Sequence, residues 1–102
     1  MHADSLSQLR VLNLNYNQLS SLPPEISCLQ SLEQLSVSNN QLSLLPAELG
    51  HLTQLQELHL EVNRLSSLPH TLKHLKNLKK LLLHKNRLRL LPNVRENPIT
   101  LC

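Results

Sequence analysis

The chain has 102 residues and a formal net charge of +3, which is room for one domain. Leucine accounts for 29 residues, Phe and Trp are absent, and Tyr16 is the only aromatic. No run approaches the ~20 apolar residues needed to span a bilayer as a helix, and Cys28 and Cys102 lack the clustered spacing of a disulfide framework. A core built almost wholly from one side chain predicts a small packing unit used many times.

Residues 1–8 open the chain. Met1-His2-Ala3-Asp4-Ser5 lacks the basic and then apolar stretch of a signal peptide. Leu6 stands one 23-residue step before Leu29, so this segment reads as the tail of a preceding repeat. From Leu9 onward the step is regular through 9–92. It relates Leu9, Leu32, Leu55 and Leu78, and equally Leu12, Leu35, Leu58 and Leu81. The same step relates Asn17, Asn40, Asn63 and Asn86, and Pro23, Pro46, Pro69 and Pro92. Four units follow: 9–31, 32–54, 55–77 and an incomplete 78–92.

Within each unit L-x-x-L-x-L alternates apolar and polar residues, which predicts a strand with one face buried. Stacked units would form a parallel sheet. Where each strand turns away, backbone groups lose their ladder partners. An amide both donates and accepts, so the four asparagines are expected to form a ladder between turns. The Leu-Pro step fixes φ and removes a donor, which starts the return path. The spacing Ile26, Leu29, Leu32 and its equivalents keeps one face apolar, as a short helix or 3₁₀ turn does. Residues 72–91, taken alone, have the look of a basic amphipathic helix; the 23-residue register runs through them unbroken and argues against it. In 93–102 the pattern lapses: Arg95 replaces the Ile26-type residue and Pro98 the Leu29-type, although Leu101 lies 23 residues after Leu78. This segment is expected to be an irregular tail. Neither end shows the polar cap that a solenoid needs, which suggests an excerpt or short form of a longer protein.

The pattern L-x-x-L-x-L-x-x-N-x-L-x-x-L-P resembles the leucine-rich-repeat family. The 23-residue form with Leu-Pro is similar to the intracellular subclass of plant Ras-group-related proteins and animal Ras-pathway scaffolds. The resemblance covers roughly residues 5–92. It implies an α/β leucine-rich-repeat solenoid, with a parallel inner sheet and an irregular, 3₁₀ or short-helix convex side. It also implies a cytoplasmic, non-catalytic scaffold or signalling adaptor.

The residues themselves offer little for catalysis. Asp4 is the only aspartate, Gly50 the only glycine, and no serine has a His and a carboxylate arranged to activate it. No cofactor is expected. Cys28, His51 and His74 share one column and could meet a metal ion, but a solvent-facing column tolerates any polar residue and no fourth ligand is evident. The concave face is the better candidate. Residues placed on it for partner binding are His59, Glu61, Val62, Leu82, His84, Lys85 and Arg87, with Tyr16 at the opposite end. Register sets Glu57 beside Lys80, Glu61 beside His84, and Arg64 beside Arg87. Leu82 is expected to face solvent as an apolar anchor, and the like-charged arginines suggest an acidic protein partner. Charge is uneven: residues 1–72 carry −4 (two basic, six acidic) and 73–102 carry +7 (eight basic, one acidic). Binding of RNA or an anionic membrane by 73–95 is the alternative, disfavoured because the one aromatic lies at the far end. A truncated form with no independent function is a third reading.

Overall fold

The computed structural model describes residues 6–89 and 100–101. Short strands β1 (Val11–Asn13), β2 (Gln34–Ser36), β3 (Glu57–His59), β4 (Lys80–Leu82) and β5 (Thr100–Leu101) form one sheet in sequence order. Every neighbouring pair is parallel. Between the first four strands the chain returns through 3₁₀ segments η1 (Pro24–Cys28), η2 (Ala47–His51) and η3 (His70–His74). This is an α/β solenoid of leucine-rich-repeat type, with strands lining the concave side and 3₁₀ turns the convex side.

The first four strands keep the 23-residue register, Leu12 facing Leu35, Leu35 facing Leu58, and Leu58 facing Leu81. The fifth does not. Leu101 pairs with Leu81, a step of 20 residues, so it belongs to the Leu81 column and not to the Leu78 column. Periodicity read from the first four units cannot reveal a shortened return once the marker leucines are gone. The expected irregular segment 93–102 therefore ends in a paired strand, while its residues 93–99 and 102 lie outside the described part.

The prolines act where predicted. Pro23, Pro46 and Pro69 hold φ of −74°, −69° and −65° with extended ψ, just before each 3₁₀ segment. Their carbonyls accept from Ile26, Leu49 and Leu72, and those carbonyls accept in turn from Leu29, Leu52 and Leu75. Five-residue 3₁₀ segments suit this path, because an apolar residue every third position faces inward in such a turn.

The core is a stack of leucines. Leu32, Leu35, Leu42, Leu49, Leu52, Leu55, Leu58, Leu60 and Leu65 are fully buried. Their counterparts in the first turn, Leu9, Leu12, Leu14 and Leu19, are only partly covered. Burial depends on having a neighbour on both sides, so the best-packed layer is the middle of the stack.

Asparagine side chains close the turns. Asn63 donates to the carbonyls of Val37 (2.9 Å), Leu60 (3.1 Å) and Glu61 (3.3 Å), and its Oδ1 accepts from Leu42 N–H (3.0 Å). Asn40 and Asn86 make the same set in their own turns. Among the described residues Asn17 bonds only within its turn, to Leu14 and Asn15, and it is exposed. One amide therefore satisfies both its own turn and the preceding one.

Candidate functional site

The residue before each ladder asparagine shapes the rim of the concave face. Tyr16, Asn39, Val62 and Lys85 all have φ of 58°. This left-handed conformation reverses the chain so that the next asparagine points inward. It suits Asn39, whereas a β-branched Val62 is sterically opposed to it.

Along the strands, alternation sends every second residue onto the concave surface. In the first two turns that surface carries Val11, which is exposed, Asn13, Asn15, Gln34, Ser36 and the buried Ser38, and it is stitched by short bonds. Asn15 Oδ1 accepts from Ser38 N–H at 2.8 Å, and Asn13 Oδ1 accepts from Asn15 N–H at 2.9 Å. In the third turn Glu57 meets His59 Nε2 at 3.0 Å and accepts from Gln34 Nε2 at 3.4 Å. Register does place Glu57 opposite Lys80. The carboxylate nevertheless turns to its own strand and to β2, because His59 lies two residues on and on the same face. Among the described residues the one Lys or Arg ion pair is Arg10–Glu33 at 3.7 Å.

The residues expected to bind a partner fall into three groups. His59, Glu61, Val62 and Leu82 are half-buried and lie side by side on the third and fourth turns. His84, Lys85 and Arg87 are exposed where the fourth turn leaves the sheet. Tyr16, 80% exposed, stands three turns away, about 14 Å at the usual strand spacing. The expected solvent-facing Leu82 is thus half-covered, set opposite His59 in the register. A side chain standing upright on a sheet is partly sheathed by its neighbours on both strands.

Two features escaped the sequence reading. Leu44 is 62% exposed, in a column that holds Ser21, Ser67 and Leu90; the contrast with the two serines was the available signal. Oε1 of Glu61 is the only buried side-chain oxygen or nitrogen among the described residues that accepts or donates no hydrogen bond.

Cys28, His51 and His74 are all exposed on the convex side, and among the described residues no cluster of three or more His, Cys, Asp or Glu could hold a metal ion. Among the described residues no helix is long and apolar enough to cross a membrane.

Comparison with known proteins follows the geometry. The family model described as a leucine-rich repeat region matches residues 1–96. Comparison with curated protein sequences returns no match. A leucine-rich-repeat protein of Leptospira interrogans is 40% identical with a TM-score of 0.78, over 94% of this chain and 24% of its own. Internalin C2 of Listeria monocytogenes is 30% identical with a TM-score of 0.79, over 95% of this chain and 43% of its own. The chain therefore spans less than half the length of either structure. Repeat pattern, parallel inner sheet, asparagine ladder and family match agree, and the chain belongs to the leucine-rich-repeat family.

Proposed function

We propose that this protein is a non-catalytic interaction module that binds a protein partner on its concave face, with the contact centred on Leu82. The fold is typical of protein–protein interaction modules, and fold alone does not choose the ligand. The observation that carries the reading is the change of chemistry along the sheet. The column Asn13, Ser36, His59, Leu82 passes from polar to apolar, and Leu82 stays half-exposed outside the leucine core. His59 stands opposite it on the third turn, with Glu61 and Val62 beyond, and His84, Lys85 and Arg87 follow it along its own turn. An apolar centre within a polar rim is how interfaces concentrate their energy. Tyr16 is a secondary contact at the far end. The 23-residue Leu-Pro repeat supports the intracellular subclass, and with it a cytoplasmic scaffold or signalling adaptor.

The test is affinity capture by the full chain with mass-spectrometric identification of the bound proteins. Leu82→Asp is expected to lose the wild-type set, while Tyr16→Asp keeps it, with both variants retaining wild-type urea midpoints. The reverse pattern moves the site to the other end of the sheet and refutes this reading.

A further inference from the structure

We propose that Ser67, on the flank where the third turn leaves the concave face, is a phosphorylation site for a protein kinase that reads an arginine three residues before its target hydroxyl. The inference goes beyond the concave-face reading and shares with it only the intracellular setting, where nucleoside triphosphates are supplied.

Two observations carry it. The first is chemical. Arg64-Leu65-Ser66-Ser67-Leu68-Pro69 sets a guanidinium three residues before Ser67, and Arg64, Ser66 and Ser67 are all exposed. A kinase cleft holds such a cation with carboxylates that accept from its fork of N–H donors, and charge patterns of this kind separate kinase substrates. Nothing nearby opposes that contact, since no acidic residue occurs between Glu61 and Glu96. The next turn adds a second guanidinium. Arg87 N–H donates to the Leu65 carbonyl at 2.8 Å, which roots Arg87 beside the same segment.

The second observation is conformational. Leu65 is pinned, its side chain fully buried and its N–H bonded to Asn86 Oδ1 at 2.9 Å. Pro69 is pinned in turn, its carbonyl accepting from Leu72 N–H at 3.1 Å. Between them Ser66, Ser67 and Leu68 make no hydrogen bond with another described residue. The Ser67 hydroxyl can therefore enter a cleft without the sheet or the asparagine ladder opening. Ser21 lies in the same Leu-Ser-Ser-Leu-Pro sequence and is equally exposed. There Gln18 takes the place of Arg64, and Gln41, whose N–H donates to the Leu19 carbonyl at 2.9 Å, that of Arg87. The fold thus presents two serines alike in shape, of which only one has the cations. In the reaction Ser67 Oγ attacks the γ-phosphorus of a nucleoside triphosphate held by the kinase. The Oγ–P bond forms as the bond from that phosphorus to the β,γ-bridging oxygen breaks. The nucleoside diphosphate leaves with the electron pair, and the hydroxyl proton passes to a carboxylate of the kinase.

The experiment incubates the full chain with ATP and the catalytic subunit of cyclic-AMP-dependent protein kinase, an arginine-directed enzyme, and maps the phosphate by mass spectrometry. Ser67 is expected to be the main site, with Ser21 unmodified. Ser67→Ala should remove the phosphate and Ser66→Ala should keep it. Arg64→Gln should slow modification of Ser67 by about tenfold or more, the worth of one charge-assisted contact. Gln18→Arg should in turn make Ser21 a substrate. A free peptide of residues 62–71 separates the motif from the fold. The folded chain should react within about tenfold of the peptide's rate; a chain about a thousandfold slower would mean that only unfolded molecules react, which overturns the proposal. Equal modification of Ser21 and Ser67 in the wild-type chain, or an unchanged rate in Arg64→Gln, overturns it as well.

Discussion

A single backbone angle, repeated at Tyr16, Asn39, Val62 and Lys85, decides how each strand hands over to its ladder asparagine. The angle costs a residue with a Cβ about 1–2 kcal/mol, less for asparagine, whose short side chain can bond locally. Asn39 is therefore suited to its place, and Val62, half-buried and β-branched, is strained in the same place. Val62→Asn should raise stability by about 1 kcal/mol, and Asn39→Val should lower it by a similar amount. Urea midpoints of the two variants check this. A lower midpoint for Val62→Asn would show that its side-chain packing outweighs the backbone strain. The adjoining Asn63 has the opposite character. Its amide serves four backbone groups in two turns, so no other side chain of that size replaces it.

The 3₁₀ segments pack on one another, and one glycine sets how closely. A Cβ added at Gly50 in η2 would lie 2.5 Å from the Thr71 carbonyl oxygen and 2.6 Å from its Cβ, both in η3. Thr71 is held there, since its Oγ1 donates to the Ala47 carbonyl at 2.7 Å. The obstruction is partly backbone, so it cannot be relieved by turning a flexible side chain. Gly50→Ala should destabilise by about 1–3 kcal/mol through overpacking, whereas Ala is ordinarily the better residue in a helical turn. Thermal melting of Gly50→Ala and Thr71→Gly, singly and together, measures this. Partial recovery in the double variant measures the side-chain share of this contact, the Thr71 carbonyl remaining in both; an unchanged melting temperature for Gly50→Ala alone would show that no close approach sets the cost. Sequence showed Gly50 only as the lone glycine; its need follows from how near η3 approaches.

Across the whole molecule, protection should follow the number of neighbours each turn possesses. Leu32, Leu35, Leu55 and Leu58 are fully buried, while Leu9, Leu12 and Leu14 are partly covered. Stability in such stacks comes from contacts between adjacent units, so opening begins at an end and stops at the centre. Amide hydrogen exchange should be slowest within 40–60 and faster in 9–20. Uniform protection across both would mean that the stack opens in a single cooperative step. The charge asymmetry belongs to this scale too, because the eight cations of 62–89 all lie on the third and fourth turns.

Periodicity made the solenoid legible from residues alone. A leucine at each inward position, an amide at each turn and a proline at each return must recur at one interval for identical units to stack. The strands, their register through β4, the convex turns and the asparagine positions all follow from that interval. Tertiary structure decided what depends on neighbours three or more residues away in space. It placed β5 at a step of 20, turned Glu57 to His59 and not to Lys80, half-covered Leu82, exposed Leu44 and left Glu61 Oε1 without a donor. A repeating pattern fixes where each side chain is rooted and which way it sets out. Which atoms it then meets depends on rotamers and on the individual residues of adjacent turns, which are the positions where the repeats differ.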